Sequence, residues 1–235
     1  MKAPPSYPNP LLAGWRMPEG VQQANLWYRL MRRALQAPFT LTWKVRVFNR
    51  HLEPATGGAV YICNHQSFLD PVLMGMALRR PMNYMARDSL FRVPVFKQII
   101  KSLNAYPVRR GTADTGAIKE AMRRLKAGGQ TVVFAEGTRT ADGRIGPFLP
   151  GVALLAQRVA AWTVPVLIDG AFEAWPRTHR LPRPGNIVVQ YAEPIPREQA
   201  ARMPPAEFVE HVRRTLIAVQ ADVRRRLGRP AMKYD

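Results

Sequence analysis

Four short segments carry the residue types that acid–base chemistry and anion binding require. The first is Asn64-His65-Gln66-Ser67-Phe68-Leu69-Asp70. A histidine beside a carboxylate is a general base whose tautomer and orientation the carboxylate fixes. In a regular helix, a five-residue step would carry Asp70 well past the face that holds His65. The two side chains can meet only if a turn joins them. Two plainer readings stand beside this one. Asp70 before Pro71 also has the form of a helix N-cap followed by proline at the first helical position. His65 also fits a hydrogen-bonded core histidine. Cys63 lies close enough to raise a thiol nucleophile, although a free cysteine is usually a buried, inert core residue.

The second segment is Phe134-Ala135-Glu136-Gly137-Thr138-Arg139-Thr140, which follows an apolar β-type run. Glycine beside Glu, Thr and Arg at a strand's end lets backbone N–H groups and a guanidinium face an anion. An ordinary β-turn with a surface arginine is the simpler alternative. The third, Tyr106-Pro107-Val108-Arg109-Arg110-Gly111, puts two arginines at another strand end. Arginine favours bidentate phosphate contacts, so arginines from two strand ends could converge on one phosphate. The fourth, Val164-Pro165-Val166, is a strand with an internal proline, expected at the strand's start or on a sheet edge.

These segments need elements to hold them. Short β-type runs fall at 42–48, 59–63, 83–86, 105–108, 131–135, 164–168 and 187–191. Helical patterns fall between them at 71–78, 95–103, 117–126 and 152–159, and a last helix follows Pro205. This alternation predicts an α/β fold, layered around a largely parallel or mixed central sheet with flanking helices. His65 would then sit in a turn at a strand's carboxyl end, where α/β folds place their ligands.

Ahead of this pattern, residues 1–20 form a lead-in rich in Pro and Gly, and 21–37 read as an amphipathic helix ended or kinked by Pro38. Leu26, Trp27, Leu30, Met31, Ala34 and Leu35 make its apolar stripe, with Arg29, Arg32 and Arg33 opposite. Such a helix suits a membrane interface or packs on its own domain. The chain therefore divides into a membrane-interacting segment over 1–40 and one catalytic-type domain over 41–235. The terminal Arg224-Arg225-Arg226 is expected to be solvated or to face lipid.

With 235 residues, the chain can bury one substantial core. Its 35 Lys and Arg against 16 acidic residues give a net charge of +19. That balance implies an anionic partner, nucleic acid or an anionic lipid surface. One cysteine excludes an intramolecular disulfide and fits a reducing compartment. The proline-rich start does not read as a signal peptide, and no apolar run reaches the length of a membrane span.

The four segments occur in the order, and at about the spacing, of a known family. Asn64-His65 with Asp70 resembles the first motif of the glycerolipid acyltransferases, which include the 1-acylglycerol-3-phosphate acyltransferases. Val108-Arg109-Arg110-Gly111 resembles the second motif, with its terminal arginine at Arg110. Glu136-Gly137-Thr138-Arg139 resembles the third and Val164-Pro165-Val166 the fourth. The stretch 85–96 is also similar, and the likeness extends over about residues 42–195. There are three departures. Ala135 stands where proline is usual, Arg87 where lysine is common, and Leu167-Ile168-Asp169 where a second proline usually follows.

The resemblance implies direct acyl transfer from a thioester, acyl-CoA or acyl carrier protein, to a lipid hydroxyl. The foremost acceptor is 1-acylglycerol-3-phosphate, giving phosphatidate. His65 would take the hydroxyl proton, with Asp70 holding the imidazole. Arg110 and Arg139 would bind the acceptor's phosphate, with Gly137 and Thr138 shaping the turn. Glu136 joins this substrate-binding set, with orienting an arginine as its suggested part. No cofactor beyond the acyl donor is implied, and no metal, because His51, His179 and His211 lack ligand spacing. Another lyso-lipid, such as lyso-ornithine lipid or one with a larger head group, would serve the same dyad. A nucleic-acid-binding protein is the distant alternative: the charge fits, but no recognised motif supports it. The expected location is the cytoplasmic face of a membrane, with peripheral or monotopic attachment.

Overall fold

The computed structural model describes residues 22, 24–109 and 114–234. Its centre is an eight-stranded sheet. The strands are β1 (Arg46–Phe48), β2 (Ala59–Cys63), β3 (Met82–Arg87), β4 (Ala105–Val108), β5 (Gln130–Phe134), β6 (Trp162–Asp169), β7 (Val188–Tyr191) and β8 (Ile195–Pro196). They lie in the order β1-β7-β6-β2-β5-β3-β4, with β8 also paired to β6. The block β6-β2-β5-β3-β4 is parallel, whereas β7 and β8 run antiparallel to β6. The sheet is therefore mixed, with a parallel centre, in agreement with the fold class read from the sequence.

Successive parallel strands need a crossover. Helices α2 (Asp70–Ala77), α3 (Pro94–Ser102), α4 (Thr115–Lys126) and α5 (Val152–Arg158) supply it. The sequence also folds into α1 (Leu26–Trp43), the short α6 (Ala171–Ala174) and α7 (Arg197–Ala200), and the long α8 (Pro205–Arg226). Strand β2 shows why the layers form. Ala59, Tyr61 and Cys63 point into one apolar cluster with α2 and the end of α1, while Val60 and Ile62 point into another with α4, α5 and α8. Its period of two thus buries both faces, as a central parallel strand requires.

Three expectations need correction. Pro38 does not end the first helix, which continues to Trp43. The rings of Phe39 and Trp43 pack in a tilted pair with centroids 4.6 Å apart and are buried, and Trp43 Nε1 donates to the Arg183 carbonyl at 2.7 Å. This packing offsets the one hydrogen bond that proline removes. The start of the expected strand 42–48 is therefore helical, and only Arg46–Phe48 is strand. Second, the first half of α1 docks through its polar side, while Leu35 of the stripe packs on the core with Phe39 and Trp43. The Tyr28 hydroxyl accepts from the Met82 N–H at 3.0 Å, Arg32 donates to the Leu78 and Arg79 carbonyls, and Gln36 donates to the Met76 carbonyl. Arg32 therefore faces inward, and Leu26, Trp27 and Leu30 of the apolar stripe are exposed. Third, Pro165 is neither at a strand start nor on an edge. It lies inside β6, opposite Ile62, and its carbonyl accepts from Ala192 between the β7 and β8 pairings. Its missing N–H points into that gap, so no ladder bond is lost.

No helix among the described residues is long and apolar enough to cross a membrane.

Candidate active site

The five parallel strands end at one edge of the sheet, and the dyad segment and the Glu136–Arg139 segment each follow one of those ends, whereas Val164-Pro165-Val166 lies inside β6. Residues 64–70 leave β2 as a turn and enter α2 at Asp70. The turn brings the two ends of the segment together: His65 Nδ1 lies 2.7 Å from Asp70 Oδ2. The same oxygen accepts from the backbone N–H groups of Gln66 at 2.6 Å and Ser67 at 2.8 Å. Asp70 therefore reaches back into the turn and does not cap α2 from outside. Its side chain is fully buried and that of His65 nearly so. A carboxylate that already accepts two N–H groups takes a third donor from the ring. This assigns the proton to Nδ1 and leaves Nε2 as the basic nitrogen.

Neighbours lock the turn. The Asn64 side chain exchanges two 2.8 Å hydrogen bonds with the Ile168 backbone at the end of β6. Gln66, wholly buried, accepts from the Ala171 and Phe172 N–H groups and donates to the Gly143 carbonyl. The His65 ring stacks on Phe134 of β5 with centroids 4.3 Å apart. The His65 carbonyl accepts from the Thr140 N–H at 2.8 Å. These contacts tie the β2 turn to the turns after β5 and β6, as a positioned base needs.

The segment after β5 is tightly placed. Gly137 has φ +68, and a Cβ there would stand 2.7 Å from Leu149 Cδ1. The left-handed angle favours glycine, and a side chain there would also have to displace the exposed Leu149 side chain. Thr138 is exposed and Arg139 half-buried. The Arg139 guanidinium carbon lies 3.4 Å from the centroid of Phe68, a residue of the dyad turn. Glu136 takes a different position from the one expected. Its Oε1 accepts from the His65 N–H at 2.8 Å and its Oε2 from the Gly146 N–H at 3.1 Å. The carboxylate thus buttresses the backbone beneath His65. Burial pushes its carboxyl up to about 7, and the Asp70 charge adds to the rise, against the two N–H donors and Arg213.

Of the two arginines expected after β4, Arg110 and the neighbouring Gly111 lie outside the described residues. Arg109 is exposed and pairs with Asp114 at 3.6 Å. Cys63 is buried with its sulfur 3.7 Å from that of Met74. Burial, with the Asp70 charge, pushes its thiol well above the usual range. That environment does not activate a nucleophile. Among the described residues, no cluster of His, Cys, Asp or Glu could hold a metal ion.

One network behind the site was not legible in the sequence. Asp169, buried at the end of β6, pairs with Arg224 at 2.9 Å and Arg229 at 2.6 Å. Arg224 is therefore a buried partner, contrary to the solvated tail expected for 224–226; Arg225 and Arg226 remain exposed. Gln220 donates to Asp169 and to the Gly143 carbonyl, the acceptor that Gln66 also uses. The Tyr234 hydroxyl accepts from the Ile145 N–H and donates to Gln220. The chain's C-terminal segment thus clamps residues 143–146, which carry the contacts to Gln66 and Glu136. The only sequence hint was the departure over Leu167-Ile168-Asp169, where a second proline is usual and where this chain carries a carboxylate.

Fold and dyad together define a class: an α/β protein with a carboxylate-oriented histidine at the carboxyl edge of its parallel strands. The chain belongs to the acyltransferase family, whose model matches residues 44–169. It is an enzyme of that kind. It is 28% identical over 181 residues to the 1-acyl-sn-glycerol-3-phosphate acyltransferase of Bacillus subtilis (strain 168), spanning 77% of this chain and 88% of that protein. A chloroplastic 1-acyl-sn-glycerol-3-phosphate acyltransferase of Arabidopsis thaliana is 29% identical over 140 residues, 58% of this chain but only 39% of its own length. The crystal structure of the 1-acyl-sn-glycerophosphate (LPA) acyltransferase from Thermotoga maritima superposes with a TM-score of 0.69 at 24% identity, covering 83% of this chain and 80% of that one. At that identity the superposition speaks for the fold.

Proposed function

We propose that this acyltransferase moves a fatty acyl group from acyl-CoA or an acyl carrier protein to the free hydroxyl of 1-acylglycerol-3-phosphate, giving phosphatidate. The observation that carries the reading is the 2.7 Å contact between Asp70 and His65 Nδ1, which leaves Nε2 as a base at the carboxyl edge of the parallel strands. The hydroxyl oxygen attacks the thioester carbonyl as His65 Nε2 takes its proton. The negative charge of Asp70 stabilises the imidazolium. The tetrahedral intermediate then expels the thiolate, which recovers the proton from His65. No covalent enzyme intermediate is required, in keeping with the unactivated Cys63.

The acceptor's phosphate meets Arg139, held beside the dyad turn by Phe68, together with Arg110; Gly137 and Thr138 shape the turn. Glu136 serves this site from beneath, by fixing the His65 backbone. The protein attaches to the cytoplasmic face of an anionic membrane, with the outward Leu26, Trp27 and Leu30 of α1 entering the interface. The homologous lysophosphatidate enzymes support this acceptor over larger or amino-acid head groups.

The test is an acyl-transfer assay over a panel of lyso-lipids with wild type and Arg139→Ala. Loss of Arg139 should cost about 2–4 kcal/mol in catalytic efficiency for lysophosphatidate, the range for breaking a buried charge pair. An acceptor of equal chain length without phosphate should be affected far less, and Arg139→Lys should restore only part of the loss. An unchanged ratio of efficiencies between the two acceptors would remove Arg139 from the phosphate site.

A further inference from the structure

Helix α3 is unusual for an element of a globular domain, because none of its side chains is buried. One face carries Val95, Phe96 and Ile99, exposed by 73%, 42% and 45%. Leu90 and Val93, just ahead of it, are exposed as well. The opposite face carries Lys97, Gln98 and Lys101, which with Phe91, Arg92 and Pro94 line a cleft of about 430 Å³. Helix α3 is thus strongly amphipathic, with its apolar half in contact with neither core cluster. Soluble proteins rarely leave so much contiguous apolar surface uncovered. The patch also continues into α1: Trp27 Nε1 donates to Ser102 Oγ at 2.9 Å, which sets the first turn of α1 beside the last turn of α3.

We propose that α3 is a second membrane-binding element, with Val95, Phe96 and Ile99 entering the acyl boundary and the Arg92–Lys97–Lys101 cleft seating the phosphates of anionic lipid head groups. The inference rests on the proposed membrane attachment and names the residues and lipid chemistry behind it. A bilayer supplies both things this surface lacks, hydrocarbon for one face and anionic groups for the other. A second copy of the chain fits less well, since each copy carries a net charge of +19 and would bring its cations against its twin's. An acidic carrier protein would meet the cations but leave the apolar row in water. Placement also favours the bilayer. The segment leaves β3 at the sheet edge that holds His65, so a protein resting on α3 presents its catalytic edge close to the lipid.

The test is flotation of the full chain with vesicles of phosphatidylcholine, with and without phosphatidylglycerol. Two variants carry it: Arg92→Ala/Lys97→Ala/Lys101→Ala, and Val95→Ser/Phe96→Ser/Ile99→Ser. Neither touches the core, so both should fold. Each cation near an anionic surface contributes about fivefold to binding, so the first variant should bind phosphatidylglycerol vesicles about a hundredfold more weakly at low salt. It should bind phosphatidylcholine almost as wild type does, and the second variant should bind both kinds of vesicle more weakly, held by α1 alone. Wild-type binding by both variants would overturn the proposal and leave α1 as the sole attachment. So would a dimer that the serine variant converts to monomer with vesicle binding intact, or an alanine variant that loses only carrier-protein binding. Both variants should transfer acyl groups to a short-chain, water-soluble lysophosphatidate at the wild-type rate without vesicles. If wild type itself performs no such transfer, the functional reading fails while the vesicle result stands.

Discussion

Replacing Asp70 by Asn separates charge from geometry at this site. Asp70 Oδ2 receives three donors, His65 Nδ1 at 2.7 Å and the backbone N–H groups of Gln66 and Ser67 at 2.6 and 2.8 Å. The two backbone donors force an amide to place its oxygen, not its NH₂, in that position. His65 would then keep its proton on Nδ1 and its basic Nε2. The variant loses the negative charge that stabilises the imidazolium and places its NH₂ where Oδ1 is buried without a partner. Two unit charges about 4 Å apart at an effective dielectric of about 20 interact by about 4 kcal/mol. That corresponds to about a thousandfold in kcat, with KM little changed. Asp70→Ala differs in kind. It orphans two buried N–H groups, at about 1–3 kcal/mol each, so it should lower stability as well as rate. The assays are thiol release from acyl-CoA with lysophosphatidate as acceptor, and thermal unfolding. Near-wild-type kcat in Asp70→Asn would refute the electrostatic role. Equal destabilisation by Asn and Ala would refute the orientation argument.

The supporting contacts around His65 and behind the site can be probed at Glu136, Asp169 and Tyr234. Glu136 has a carboxyl raised to about 7 in the folded protein, so its contribution to stability is fully present below about 4.5 and is lost as pH rises toward 7. The shift sets an upper bound of about 3 kcal/mol, which residual solvent contact at this partly buried group reduces to about 1–2 kcal/mol; urea unfolding of Glu136→Gln should show a shallower fall between about pH 5 and 7 than wild type, and parallel curves would contradict the assignment. Asp169→Asn removes the buried carboxylate that Arg229 pairs with and leaves Arg224 with Glu173 alone. Breaking a buried pair costs about 3–5 kcal/mol, so its melting temperature should drop strongly, whereas Tyr234→Phe should lower kcat by severalfold with KM little changed; a Tyr234→Phe enzyme identical to wild type would mean that the terminal segment does not position residues 143–146.

The dyad was legible because a short stretch of chain holds both partners, and because an all-apolar run before it and Pro71 after it bracket the turn. The parallel strands were placed within two residues for a similar reason: an unbroken apolar run such as Ala59–Cys63 has few other places to go. Local rules failed where tertiary contacts outvoted them. Pro38 should break a helix, yet Phe39 and Trp43 anchor the far side of it. The stripe of α1 obeyed helical periodicity, but Tyr28, Arg32 and Gln36 supplied the docking face through hydrogen bonds that no hydrophobic pattern reveals. Glu136 sits 71 positions from His65 in the chain, and Asp169 sits 55 from Arg224. Pairings across such separations leave no periodic trace. Both became evident only when the sheet brought strand ends together.

Direct acyl transfer requires His65 as its base. Purified protein given acyl-CoA and lysophosphatidate should form phosphatidate and release one thiol per transfer. His65→Ala, shown to be folded, should lower kcat by about a hundredfold to ten-thousandfold with little change in KM, the range for losing a general base. Cys63→Ser, measured alongside, should stay active. Near-normal turnover by a folded His65→Ala protein, or a dead but folded Cys63→Ser, would contradict direct transfer by the His65–Asp70 pair.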